Sequence, residues 1–158
     1  MKLPGRQRGV AAVEMGILLV ALLVPMLGVM ELGRAIYEYN MVVKLTRNAV
    51  RFLSTQGAGD PADVTTAKCL AAYGNRTCAG ALLLPNLTLA MVSVCDSVSC
   101  PSNHLNQPTG SGVINLVGVT VTGYPITFMI PIMAPFQSPT ANTNIQFGPI
   151  TTTMRQVL

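Results

Sequence analysis

The chain has 158 residues, of which 50% are hydrophobic and 10% are charged, and it carries a formal net charge of +4 without any Trp. This length leaves room for one modest domain beside a membrane segment. The low aromatic content and scattered charge do not suit a nucleic-acid-binding protein, so no nucleic-acid partner is expected. The composition is also unlike that of a soluble enzyme.

The first predicted element is a membrane-spanning helix. Residues 10–30 are apolar except for Glu14, and as a helix they would extend about 30 Å, enough to cross a bilayer once. The run continues into Glu31 and Arg34 without the small-residue cleavage site that follows a secretory signal peptide, so we expect it to be retained. Glu14 needs an explanation, because a charged side chain at the bilayer centre costs about 2.5 to 3.5 kcal/mol.

Charge and cysteine content indicate the orientation. The leader, residues 1–9, holds Lys2, Arg6 and Arg8 in a short stretch, which favours a cytoplasmic amino terminus. All four cysteines follow the span, and an even number of cysteines in a small polar domain suits an oxidising compartment. We therefore expect a single-pass membrane protein, with its amino terminus in the cytoplasm and its carboxyl-terminal domain in an oxidising compartment.

The helical pattern does not stop at Met30. Apolar residues recur at spacings of three and four up to Leu53, so one continuous helix from about Val10 to Leu53 is predicted. The predicted helix is kinked near Pro25, because proline removes a backbone hydrogen bond, and it ends at Gly57. The apolar positions beyond residue 30 are Leu32, Ala35, Ile36, Tyr39, Val42, Val43, Thr46, Val50 and Leu53.

A second, shorter helix follows. Asp60 is a good N-cap, Pro61 suits the first helical position, and Gly74 can close the helix after Tyr73. Beyond it the period changes to two, and four Val-, Ile- and Thr-rich runs predict short antiparallel strands. These runs are Leu87 to Cys95, Val113 to Thr122, Ile126 to Ile130 and Ile150 to Arg155.

The predicted fold class is α+β, with a long amino-terminal helix, a short helix and a small antiparallel sheet. We divide the chain into a basic leader (1–9), a transmembrane half of the helix (10–30), an amphipathic half (31–56) and a periplasmic α+β domain (57–158).

The amino-terminal third resembles a known family. A basic leader, Gly9, four small apolar residues, Glu14 and an apolar span together resemble the processing site of type IV pilins and pseudopilins. The stretch VAAVEMGILLVALLVPMLGVMELGRAIYEYNMVVKLTRNAVRFLS, from Val10 to Ser54, is similar to the TadE-like proteins of the Tad (Flp) pilus system. The carboxyl-terminal ITTTMR resembles the closing strand of that family. Val10 and Met15 replace the more usual Ala and bulky Phe or Leu.

The resemblance implies a non-enzymatic minor pilin or pseudopilin that is needed to assemble a thin adhesive pilus. A prepilin peptidase would cut between Gly9 and Val10, which leaves Glu14 as the acid at the fifth mature position. The implied partners are the prepilin peptidase, other pilins, the inner-membrane assembly platform and membrane lipid. The alternative is an uncleaved single-pass anchor that carries a periplasmic binding or regulatory domain, in which Glu14 lies near enough to the interface to be hydrated.

Three charged residues just after the span have two interpretations. Glu31, Arg34 and Glu38 stand at i,i+3 and i,i+4 spacings, which is typical of weak ion pairs on a helix surface. The family pattern also makes Glu31 and Arg34 candidates for contact with another pseudopilin or the assembly platform. Both interpretations stay open at this point.

The cysteines also have two interpretations. Cys95, Cys100 and His104 have the form C-x4-C-x3-H, which departs from common zinc motifs, whereas the expected compartment favours disulfides. We predict local pairs, Cys69 with Cys78 and Cys95 with Cys100, and His104 as a loop residue, with no metal and no cofactor. No set of nucleophile, base and acid converges, so no enzyme activity is expected.

One further apolar run, Ile126 to Phe136, could touch a membrane or a partner, but we interpret it as a buried strand followed by a proline-broken loop.

Overall fold

The computed structural model describes residues 8–127 and 145–157. These residues form the predicted α+β fold, with a long apolar helix, a short helix and small antiparallel sheets. The described residues up to Ile36 belong to one compact unit, and those from Tyr37 onward belong to a second unit that holds the sheets. Most of the run Ile126 to Phe136 and most of the leader lie outside the described residues.

Helix α1 spans Arg8–Leu53 and contains Pro25 without interruption of the helix. The kink near Pro25 stays a prediction. The helix ends at Leu53, as the apolar period predicted, four residues before Gly57. The amide of Gln56 donates to the carbonyl of Leu53 at 3.1 Å, an i,i+3 bond of the kind that closes helix ends.

Helix α2 spans Pro61–Tyr73 and has the predicted caps. The carboxylate of Asp60 accepts a hydrogen bond from the amide of Ala62 at 2.8 Å. Gly74 closes the helix in the left-handed conformation, with a φ of 71°, which Gly adopts without the steric cost of a Cβ. Both ends of α2 are therefore set by local sequence.

Three strands form the main sheet: β1 (Val92–Cys95), β4 (Leu116–Val121) and β7 (Ile150–Arg155). They are antiparallel in the order β1, β4, β7. Two small pairs accompany them, namely β2 (Gln107–Pro108) with β3 (Val113–Ile114), and β5 (Pro125–Ile126) with β6 (Ile145–Gln146). A short helix, α3, spans Pro101–His104.

Two predicted strands are shorter than their sequence pattern indicated. The run from Leu87 does not enter the sheet until Val92, because Asn86 has a φ of 67° and Leu89–Met91 form a 3-10 turn. Leu87 is nevertheless fully buried, so its apolar character serves the core and not a strand. The run from Val113 to Thr122 divides between β3 and β4.

The core lies between α1, α2 and one face of the sheet. Alternate residues of β4 (Val117, Val119 and Val121) point into it, as the strand period requires. The apolar residues that α1 and α2 contribute are Val42, Leu45, Ala49, Val50, Leu53, Ala67 and Ala71. On the same side of α1, the hydroxyl of Thr46 lies 2.9 Å from that of Thr152 on β7.

The predicted apolar stripe of α1 was partly wrong at its upstream end. Leu32 and Ile36 are 60% and 53% exposed, and the fully buried stripe begins at Val42. Tyr39 lies between Ile36 and Val42, 44% exposed but in contact with the ring of Phe147. The helical period alone does not say where along a helix the partner surface starts.

Candidate processing and assembly site

The predicted cleavage site lies at the start of α1. Gly9 and Val10 are in its first turn, and Val10 is exposed. A Cβ placed on Gly9 would meet no described atom within 4 Å. The bond between the two residues is thus not covered by any part of the chain that the structure describes.

Glu14 stands one helical turn beyond Val10. Because residues four apart share a helix face, the Glu14 carboxylate and the nitrogen of Val10 are on the same side of α1. Glu14 is exposed, as are the residues around it. The structure therefore leaves this carboxylate open to a charge that appears at residue 10 or on another subunit.

The apolar half of α1 is exposed on all sides. Its large apolar side chains from Val10 to Met30 are exposed by 40% or more, except Leu27, which is half-buried. A helix that is apolar all round needs lipid or other helices around it. It is the one described helix long and apolar enough to cross a membrane, and it is compatible with a single-pass anchor.

Glu31 and Arg34 form the predicted i,i+3 ion pair, but the pair is less exposed than the sequence indicated. Arg34 Nη2 lies 3.0 Å from Glu31 Oε2, and Glu31 is buried. The first of the two interpretations, an ion pair within the helix, is therefore confirmed for these two residues. Contact of either residue with a partner protein stays a prediction.

Glu38 does not belong to that surface group, which corrects the sequence interpretation. It is buried, and its carboxylate accepts a hydrogen bond from the hydroxyl of Tyr124 at 3.3 Å. Tyr124 stacks on Phe147, and Tyr39 meets the same ring edge-on, with ring centroids 5.8 and 5.4 Å apart. The position of Glu38, four residues before Val42 on the core face, was the signal that could have identified it.

The position of His104 is a second correction to the sequence interpretation. It ends α3 and packs over the sheet at Gly118, where an added Cβ would come within 3.1 Å of the imidazole Nε2. A side chain at residue 118 would be tight against this ring, because the ring approaches the strand closely. The predicted loop role of His104 is wrong.

The structure contains both predicted disulfides, Cys69 with Cys78 and Cys95 with Cys100, at Cα separations of 4.7 and 5.3 Å. They close short loops, with sequence separations of 9 and 5 residues. Short loops of this kind stabilise a small domain by limiting its unfolded chain, by about 2 to 4 kcal/mol each.

This connectivity gives a first prediction. Digestion of unreduced, alkylated protein with trypsin and chymotrypsin separates Cys69 from Cys78, because Arg76 lies between them. We expect the peptide with Cys69 to stay joined to the peptide with Cys78, and Cys95 and Cys100 to form a bond within one peptide. Alkylated thiols at all four positions, or a peptide that joins Cys69 to Cys95, would contradict it.

Asp96 lies inside the second disulfide loop, and sequence analysis gave it no role. Its Oδ1 accepts hydrogen bonds from the amides of Val98 and Ser99 at 3.0 and 2.7 Å and from the Ser99 hydroxyl at 2.8 Å. Its Oδ2 accepts from the amide of Gly59 at 2.9 Å, which ties the turn between α1 and α2 to the loop after β1. An Asp followed three residues later by Ser is the local signal for such a turn.

The charge state of Asp96 follows from these contacts. Burial raises the pKa of this carboxyl, but the hydrogen bonds from Ser99, Gly59 and Val98 outweigh burial and hold the pKa below its ordinary value. Since the pKa is lower in the folded state, ionised Asp96 stabilises the fold above the unfolded pKa of about 3.9. This contribution is lost as the pH falls through the folded pKa.

A second prediction tests this carboxylate. In Asp96→Asn, an NH2 group replaces one of the two carboxylate oxygens. It then faces either the amide of Gly59 or the amides of Val98 and Ser99, which lose their acceptor. An unsatisfied buried donor costs about 1 to 3 kcal/mol. We expect the unfolding free energy of the full chain in non-ionic detergent to fall by about that amount at pH 7, with the deficit smaller at pH 3. Asp63→Asn is the matched control, since the Asp63 carboxylate accepts no hydrogen bond within the described part of the chain. Equal stability of Asp96→Asn and wild type at pH 7 would contradict the assignment.

These features define a class: a protein in which one exposed apolar helix of membrane-spanning length precedes a small, disulfide-bonded α+β domain. The model of the TadE-like protein family matches residues 9–51, so the resemblance of the amino-terminal third to that family is confirmed. The match supports a general role as a pseudopilin associated with the Tad pilus. Searches of curated proteins and of solved structures gave no significant match.

Proposed function

We propose that this protein is a minor pilin or pseudopilin that a prepilin peptidase cleaves after Gly9 and that a Tad (Flp) pilus needs for assembly. The observation that carries the proposal is the position of Glu14. It lies one turn after Val10, at the start of an exposed apolar helix, within the segment that matches the TadE-like family.

Cleavage changes the electrostatics around Glu14. In the precursor, the nitrogen of Val10 belongs to a neutral peptide bond. After cleavage it is an α-amine, which has a pKa near 8 and is mostly cationic at neutral pH. Glu14 then has a partner, either the amine of its own chain or that of a neighbouring subunit, and N-methylation of the amine would keep the charge.

The neighbour pairing would set the axial register of packed helices. A carboxylate left unpaired among apolar helices or lipid is costly, so helices that align amine with carboxylate are favoured over those shifted along the axis. The exposed apolar surface of α1 supplies the packing, and the single charge pair selects the alignment.

The remaining parts of the proposal concern place and partners. Residues 10–30 anchor the chain in the inner membrane before assembly, with the leader in the cytoplasm and the disulfide-bonded domain in the periplasm. Its partners are the prepilin peptidase, other pilins or pseudopilins, the assembly platform and membrane lipid. The protein is not an enzyme, and its contribution to adhesion or biofilm formation is made through the pilus.

Deletion and complementation in the source bacterium test the proposal. A strain that lacks this chain should show no Tad pili by electron microscopy and reduced attachment, and the wild-type chain supplied in trans should restore both. Normal piliation of the deletion strain would contradict an assembly role.

A further inference from the structure

Three cations lie together on the outer face of α1 in the unit that contains the sheets. We call Lys44, Arg47 and Arg51 the basic face. At about 100° per residue, they fall within an arc of about 60° on the helix. All three are exposed, and the buried residues Val42, Ala49 and Leu53 point to the opposite side.

The basic face is not neutralised within the described chain. No ion pair or hydrogen bond is recorded for the Lys44, Arg47 or Arg51 side chain among the residues that the structure describes. Favourable interaction with the helix dipole accounts for Arg51, which lies in the last turn, but it does not extend to Lys44 and Arg47.

The charge balance of this unit disfavours a second copy of the chain as the occupant. From Tyr37 onward the sequence has six basic residues and four acidic ones. Two of the acids, Glu38 and Asp96, are buried, which leaves Asp60 and Asp63 as the accessible carboxylates. Two copies would therefore meet mainly with like charges, which is unfavourable at an interface.

The structure also disfavours a lipid surface. A helix that lies on a membrane inserts its apolar face and directs its cations to the headgroups. In this part of α1 the apolar face is already covered, because Val42, Leu45 and Val50 are in the protein core. Only charge would remain to hold the basic face to lipid.

We propose that the basic face is a docking surface for an acidic surface of another protein, with carboxylates placed to meet Lys44, Arg47 and Arg51. Charge complementarity of this kind speeds association and selects the partner, and exposed pairs make it sensitive to salt. The inference goes beyond the pseudopilin role, since it does not depend on cleavage after Gly9 or on Glu14.

Zero-length cross-linking with a carbodiimide tests the proposal, because this reagent joins a lysine amine only to a carboxylate in contact with it. Membranes from cells that produce the full chain are treated, and mass spectrometry identifies the peptide joined to Lys44. We expect an Asp or Glu of a different protein. Lys44→Arg should abolish the adduct, since it keeps the charge but removes the amine.

A matched pair of variants makes the test specific. Arg47→Gln with Arg51→Gln leaves the Lys44 amine intact and should lower the yield of the adduct at least about five-fold, as expected for the loss of two exposed charge pairs. Lys68→Gln with Arg155→Gln removes the same net charge elsewhere and should leave the yield unchanged. Added salt should lower the wild-type yield.

Four results would overturn the proposal: no adduct at Lys44, an adduct only with a second copy of this chain, an adduct insensitive to Arg47→Gln with Arg51→Gln, or protection of Lys44 by lipid alone. Protection by lipid is measured with the purified full chain in nanodiscs. It would appear as slower acetylation of Lys44 in phosphatidylglycerol nanodiscs than in phosphatidylcholine nanodiscs. The adduct is read whether or not residues 1–9 are removed, so its outcome is separate from that of the cleavage proposal.

Discussion

A chain in which Glu14 is replaced by Ala is expected to insert in the membrane and to be cleaved after Gly9, yet to leave the deletion strain without pili. Insertion should not suffer, because the substitution removes a charge from an apolar segment. Cleavage should continue if the peptidase recognises mainly the glycine. Assembly should fail because the new amine of Val10 no longer has a carboxylate to pair with, and the packed helices lose their preferred alignment.

Three further variants separate charge from size. Glu14→Gln keeps the shape without the charge and should fail as Glu14→Ala does. Glu14→Asp keeps the charge on a shorter side chain and should restore part of the piliation. Met15→Ala changes the adjacent exposed position and should assemble normally. Normal piliation with Glu14→Ala would show that the proposed role of this carboxylate is wrong.

Gly9→Leu is expected to accumulate as uncleaved precursor in the inner membrane, with loss of nearly all mature protein. The family pattern implies that the peptidase requires glycine on the leader side of the cut. The described part of the chain leaves space for a side chain there, because a Cβ at residue 9 would meet no described atom within 4 Å. We therefore expect α1 to form in this variant and a block in processing to reflect recognition by the peptidase.

Gly16→Leu provides the matched control. Gly16 lies in the same helix, and a Cβ there would also meet no described atom within 4 Å. The same substitution at residue 16 should leave processing unchanged, which immunoblotting shows as a shift to the shorter form. Processing of Gly9→Leu at the wild-type rate would contradict the assigned cleavage site.

The parts of the fold that depend on local signals were predictable from the sequence. Asp60 and Gly74 set the ends of α2, and the Val-, Ile- and Thr-rich run from Ile150 to Arg155 is β7 over its full length. The disulfide pairs follow the shortest spacings, so their loops close locally. For α2 and the disulfide loops, residues near one another in sequence provide the stabilising contacts. Strand β7 is marked by its local composition, although its pairing partner β4 is distant in the chain.

The features that sequence analysis missed depend on residues far apart in the chain. Glu38 seemed to be a surface charge until the fold placed Tyr124 beside it. Leu87 had the pattern of a strand residue, but it lies in a loop and packs in the core with residues from other elements. The spacing of His104 gave no indication that it would pack on Gly118. Long-range packing decides these positions, and local propensity carries no information about it.

The residues of the candidate site and of the basic face also differ in how far the sequence alone predicts their arrangement. Gly9, Val10 and Glu14 are close in sequence, so their shared helix face could be derived from helical spacing alone. The basic face has equally regular spacing. The sequence did not show that the basic face is exposed and forms no ion pair within the described chain. The structure shows this, because the core covers the opposite side of α1 and because Asp96 and Glu38 are buried.

The proposed cleavage between Gly9 and Val10 is tested most directly by the amino-terminal sequence of the mature wild-type protein, isolated from the membrane of the source bacterium. We expect the chain to begin at Val10, as the free or N-methylated amine, followed by Ala11, Ala12 and Val13. A mature protein that still begins at Met1 and retains Gly9 would contradict it, and the chain would then be an uncleaved membrane anchor.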